Sequence, residues 1–103
     1  MTEPFNKLTE AELERLSYLL EECGEVIQFI GKVQKHGFDS RHPKYGDKSN
    51  RESLAIELSH LMYSIMFMIR NNDLDTKLMA KSLKDKRERS EKYYHHQNIT
   101  KKV

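Results

Sequence analysis

A stripe of apolar residues constrains this chain more than any other feature. Leu16, Leu19, Leu20, Cys23, Val26, Ile27, Ile30 and Val33 recur every three or four positions. That period lines one side of an α-helix and is incompatible with the alternation of a half-buried strand. Upstream, Thr9-Glu10-Ala11-Glu12 reads as a capping box, in which Thr9 and Glu12 satisfy each other's orphan amides. Gly37 supplies a stop after His36. The pattern predicts a helix over about 9–36.

A second capping box, Ser49-Asn50-Arg51-Glu52, predicts a helix over about 50–70. Its principal face carries Leu54, Leu58, Leu61, Met62, Ile65 and Ile69. Ile56, Tyr63 and Phe67 fall on the other side, so its later turns are apolar nearly all round. A helix of that kind is enclosed by neighbours, and in so short a chain some of them are expected from another subunit. Asn71-Asn72-Asp73 marks a turn, with Asp73 or Asp75 as the next cap. A third helix over about 75–96 has sparse apolar residues (Leu74, Leu78, Met79, Leu83, Tyr93, Tyr94) and belongs on the bundle surface. The polar segment 37–49, GFDSRHPKYGDKS, is a loop of the length that often carries function, and residues 97–103 are expected to fray. No strand pattern, repeat or low-complexity tract is visible. The expectation is a single all-α domain over 1–103, an antiparallel bundle of three main helices per chain completed by oligomerisation.

Charge is unevenly placed along the chain. Residues 1–30 carry seven acids and two bases, whereas residues 81–103 carry eight Lys/Arg and three acids. Two readings stand: the ends attract each other across a bundle, or a negative cluster holds a metal and a positive one holds phosphates. The acidic first third and the lack of a recognition motif argue against nucleic acid as the partner. The single cysteine, Cys23, has no partner for an intramolecular disulfide, and MTEPFNKLTE lacks the features of a signal peptide. The apolar stretch around Leu58–Ile69 is too short to span a bilayer. A cytoplasmic protein without a membrane segment is expected.

Inside the first stripe sits LLEECGEVIQFI, with Glu21, Glu22 and Glu25 around Gly24. Glu22 and Glu25 are three apart, Glu21 and Glu25 four apart, and on the second helix Glu57 and His60 share the three-residue spacing. If the two helices pack antiparallel, the pairs face each other and line a cleft beside the core. Gathered carboxylates need a counter-charge, and oxygen ligands select hard cations such as Mg²⁺ or Mn²⁺. Spacing alone is met as well by a solvated acidic face, and a lone histidine on a largely apolar helix is usually a core or interface residue with a satisfied hydrogen bond. Gly24 is read as room for a neighbour or ligand to approach closely.

Taken together, LLEECGEVIQFIGKVQKHGFDSRHP, NRESLAIELSHLM and EKYYHHQ resemble the MazG-like nucleotide pyrophosphohydrolases, most closely their small phage and bacterial members. The resemblance covers roughly residues 12–97. Its signature is an E-x-x-E helix followed, after a loop, by an E-x-x-D helix. It implies an all-α NTP pyrophosphatase that converts nucleoside triphosphates to monophosphate and pyrophosphate, using Mg²⁺ held by four acids. Carried over, Glu22, Glu25 and Glu57 match three of those acids, and Glu21 the neighbouring acid that helps orient the nucleophilic water. The fourth position, aspartate in the family, is His60 here, an imidazole better suited to Mn²⁺ than to Mg²⁺. The resemblance further implies phosphate contacts from Lys32, Arg89 and Lys92, and base or sugar contacts from Tyr94 and the GFDSRHP loop. Sites near subunit interfaces make a homodimer or homotetramer the expected assembly. Two other readings remain: a catalytically weak member that binds nucleotide or protein, and a purely structural helical oligomer.

Overall fold

The computed structural model describes residues 5–98. They form three α-helices, α1 (Glu10–His36), α2 (Asn50–Arg70) and α3 (Thr76–Ser90), followed by a short 3₁₀ turn, Glu91–Tyr93. Among the described residues there is no strand; the one β-type pairing is an isolated antiparallel bridge between Arg41 and Ser49.

Both capping boxes form as their sequences dictate. Thr9 Oγ1 accepts from the Glu12 amide at 3.1 Å while Glu12 Oε1 accepts from the Thr9 amide at 2.9 Å. Ser49 and Glu52 repeat the exchange at 3.1 and 3.0 Å, and those bonds hold the Glu52 carboxyl below the usual carboxylate range. Helix α1 ends at Gly37, whose φ of 88° lies in a region that side-chain-bearing residues avoid. Helix α2 ends in a Schellman arrangement. Asn72 takes the left-handed conformation (φ 59°), its amide reaches Ile69 O at 3.0 Å, and the Asp73 amide reaches Met68 O at 3.0 Å.

That ending aims Asp73 back at the start of α1. Arg15 Nε and Nη2 donate to its two carboxylate oxygens at 2.6 and 2.9 Å, a bidentate pair with both side chains largely covered. The pairing holds Asp73 below, and Arg15 above, their ordinary pKa values. At the other end, the Asn50 and Arg51 amides donate to Ser40 O and Phe38 O at 2.9 and 2.8 Å, and Asn50 Nδ2 donates to Gly37 O at 3.1 Å. The beginning of α1 is thus tied to the end of α2, and its end to α2's beginning. The two helices pack antiparallel.

The chain divides into two compact units, the first running through Asp73 and the second beginning at Leu74. The first is the α1–α2 hairpin. In its seam Val26 and Met68 are the buried apolar side chains among the described residues, joined by the buried hydroxyl residue Ser64. This differs from the sequence expectation in a consistent way. Leu20 and Ile27 of the α1 stripe are 75% and 69% exposed, and Leu58 and Met62 of α2 are exposed as well. The α1 stripe is wider than one partner helix covers, so the seam runs along one edge of it, through Arg15, Leu19, Glu22, Cys23, Val26 and Phe29. The acids therefore lie in the seam rather than beside it. On α2, Tyr63 and Met66 are also left uncovered within the chain.

In the second unit, Asp75 caps α3 by accepting from the Leu78 amide at 3.0 Å. The predicted helix to about residue 96 is corrected: α3 stops at Ser90, the 3₁₀ turn takes Glu91–Tyr93, and Tyr94 is extended (φ −83°, ψ 130°). A run of four aromatic rings and imidazoles, Tyr93-Tyr94-His95-His96, loses side-chain freedom on a helix and has no buried face there to compensate. Of the expected frayed tail, residues 99–103 lie outside the described residues. No helix among the described residues is long and apolar enough to cross a membrane.

Candidate metal centre

Midway along the hairpin, the antiparallel register sets Glu22 and Glu25 of α1 opposite Glu57 and His60 of α2. Each offers one ligand atom, and the four atoms lie within 4.8 Å of one another. Opposite ligands on a six-coordinate Mg²⁺ stand about 4.2 Å apart. The separations within the cluster are thus comparable to the span of one such ion's ligand shell.

Its hydrogen bonding is incomplete. Glu22 Oε2 and Glu57 Oε2 are buried and accept no hydrogen bond. His60 Nδ1 stands 3.8 Å from the first and 3.5 Å from the second, beyond good hydrogen-bond length. The Glu25 carboxyl faces that of Glu57, and hydrogen bonding between them holds it above the usual carboxylate range. Glu57's charge and burial act in the same direction, and His60 opposes them. Buried polar atoms are ordinarily paired, and carboxylates ordinarily repel one another. Both departures are what a divalent cation would relieve, so the donor set fits one: three carboxylates of hard oxygen character and one imidazole. The acids are half-buried in the seam whereas the His60 side chain is 52% exposed, which leaves the cluster open on the His60 side.

The other sequence candidates are placed differently. Glu21 is exposed and stands outside the four. A Cβ at Gly24 would meet nothing within 4 Å, so the expected close approach there is not made by any described part of this chain. Lys32 is half-buried with its ammonium 4.5 Å over the Phe29 ring, and it lines a cavity at the α1–α2 junction. Arg89, Lys92 and Tyr94 belong to the second unit and are exposed there; Arg89 lies in a groove along α3 beside Lys81, Asp85 and Glu88. Two features escaped the sequence reading. The Arg15–Asp73 pair spans 58 positions, and no local pattern announces it. The junction cavity was signalled only by the density of cations around Gly46, from Arg41 to Lys48.

A scan against protein-family models finds no match, and searches of curated proteins and of solved structures find none either.

Proposed function

We propose that this chain is a metal-dependent nucleoside triphosphate pyrophosphohydrolase of the MazG-like type, converting a (d)NTP and water to the (d)NMP and pyrophosphate. One observation carries the reading: two distant sequence segments bring Glu22, Glu25, Glu57 and His60 within 4.8 Å, with two buried carboxylate oxygens left unpaired. Those four residues would hold Mg²⁺ or Mn²⁺. When bound, the cation supplies charge neutralisation for phosphate oxygens and acidity for a water molecule.

The chain's own residues do the remaining work. Glu21, exposed beside the cluster in sequence, orients the attacking water and accepts its proton. The water oxygen bonds to the α-phosphorus, the α–β anhydride bond breaks, and pyrophosphate leaves with the electron pair. Lys32 offers positive charge to the phosphates, so that rate comes mainly from positioning and electrostatics. The uncovered apolar residues of α1 and α2, among them Leu20, Ile27, Met62 and Met66, suit burial against a second copy in a homodimer or homotetramer. A cytoplasmic setting is consistent with the free Cys23.

The test is pyrophosphate release across a panel of canonical and modified (d)NTPs with Mg²⁺ or Mn²⁺. Turnover with at least one nucleotide is expected, and Glu22→Gln or Glu57→Gln should abolish it. Absence of turnover across the panel overturns the hydrolase reading. His60, an imidazole where the resemblance calls for aspartate, favours a second reading: a catalytically weak member that binds nucleotide. That reading requires saturable nucleotide binding without turnover, and a flat calorimetric titration removes it.

A further inference from the structure

The cavity at the α1–α2 junction, about 410 Å³, has a different chemistry from the acidic cluster. Lys32 and Phe29 face it from α1, and Arg41, His42, Tyr45 and Lys48 from the loop. Lysine and arginine supply three permanent positive charges to its lining; Lys48 meets Asp47 at 3.4 Å and Arg41 meets Glu52 at 3.7 Å, both in exposed pairs. Lys32 has no carboxylate partner among the described residues; its ammonium rests over Phe29.

The loop is built rather than loose. A Cβ at Gly46 would fall on the backbone of His42, so the chain closes there only without a side chain. His42 Nδ1 accepts from the amides of Lys44 and Tyr45 at 3.0 and 3.1 Å, which requires that nitrogen to be unprotonated and puts the neutral ring's proton on Nε2. The ring also stacks on Tyr45, with centroids 4.9 Å apart. Arg41 Nη1 donates to Asp47 O at 2.7 Å, which fixes the guanidinium. The positive end of the α2 dipole adds to the field, although the first amides of α2 are already taken by Ser40, Phe38 and Ser49. The donors left free to meet a ligand are therefore side chains, from α1 on one side and the loop on the other.

We propose that this junction cavity is a binding site for a diphosphate group, held between Lys32 of α1 and the loop's Arg41, His42 and Lys48. Cations on opposing walls suit an anion with two charged centres better than a single small one. The site stands whether or not the carboxylates hold a cation. Its position adds meaning if they do. Phe29 lies four residues after Glu25 and Ser53 four before Glu57, so the cavity begins about 6 Å, one helical turn, from the cluster along both helices. Resting on the hydrolase reading, that is where the departing diphosphate of a nucleotide would sit.

The experiment is calorimetric titration of the full chain with sodium pyrophosphate in excess EDTA, repeated with a nucleoside diphosphate and with the unphosphorylated nucleoside. Saturable binding of both phosphorylated probes is expected, weakening with added salt. Lys32→Ala and Lys48→Ala should each raise the pyrophosphate Kd about tenfold, the scale of a lost charge-assisted hydrogen bond. Lys77→Ala, exposed on α3, should leave it unchanged. An amide NMR titration of the wild-type chain, which needs no variant to fold, should move residues 40–48 most. No binding in EDTA overturns the proposal, as do binding of the bare nucleoside, insensitivity to the Lys32 and Lys48 changes, an equal loss in Lys77→Ala, or shifts centred on residues 77–92. Pyrophosphate bound without nucleotide turnover sinks the hydrolase reading and leaves this site standing.

Discussion

Replacing Glu25 by glutamine separates a metal centre from an acidic face. In the absence of divalent cations, the hydrogen-bonding Glu57 carboxyl beside it holds Glu25 above the usual carboxylate range, so its ionised form opposes folding at neutral pH. Glutamine keeps the volume and removes the charge, and the cation-free variant should melt no lower than wild type. With cation the order reverses. A ligand at a hundred times its Kd stabilises the folded state by about 2.7 kcal/mol. Unfolding entropy near 2.1 cal/mol/K per residue over roughly 70 to 95 cooperative residues converts that to a Tm rise of about 14–19 °C. If losing one of three carboxylates weakens binding about a hundredfold, the same concentration yields about 0.4 kcal/mol. The variant's rise is then only about 2–3 °C. Scanning calorimetry in EDTA and in Mn²⁺ or Mg²⁺ reads both quantities. A wild-type Tm indifferent to both cations, or a variant that responds as wild type does, refutes the reasoning.

The remaining predictions concern the hairpin. Asp73 and Glu52 have depressed pKa values, so their stabilising contribution is fully present above the ordinary carboxylate range and is lost as pH falls through it. Asp73→Asn should therefore lower stability at neutral pH and flatten the acid limb of a pH–stability curve; an unchanged limb would show the Arg15 pairing to be energetically silent. Met68→Ala removes one of the two buried apolar side chains among the described residues and should cost about 2–5 kcal/mol by chemical denaturation. Met66→Ala, 58% exposed within the chain, should cost less than about 0.5 kcal/mol in a monomer. A larger, concentration-dependent loss for Met66→Ala, with a shift to smaller species by light scattering, is expected if a second copy covers α2.

Local rules made the elements legible. Two capping boxes and one glycine stop place the ends of α1 and α2 within a residue of where they fall, because those signals act over three or four positions. The end of α3 was not legible, since nothing in SEKYYHHQ terminates a helix outright and its weak propensities resolve the question gradually. The grouping of Glu22, Glu25, Glu57 and His60 was legible as two helical pairs plus an antiparallel hairpin. What spacing left open was the register. A single turn of slip would separate the pairs by about 5.4 Å and dissolve the cluster. That register is held at both ends by contacts the sequence does not advertise: the Asp73 carboxylate on Arg15, and the Phe38 and Ser40 carbonyls on the first turn of α2.

Those same anchors bear on why the acids stand where they do. A seam with two buried apolar side chains has a small margin of stability, yet it places Glu22 and Glu57 at positions where leucine would pack, each with an unpaired oxygen. Apolar residues are not lacking, since Leu20, Ile27, Leu58 and Met62 lie uncovered on the same two helices. Turning α1 by one residue position, about 100°, would exchange acid for apolar side chains in the seam. The Arg15–Asp73 pair works against that rotation, because Arg15 lies about two turns before Glu22 on the same side of α1 and its guanidinium grips the α2 terminus bidentately. The hairpin is locked in the orientation that stacks its carboxylates instead of the one that would bury most oil. Local choices that oppose stability mark functional positions in natural sequences, and here three carboxylates of that kind converge on a single point.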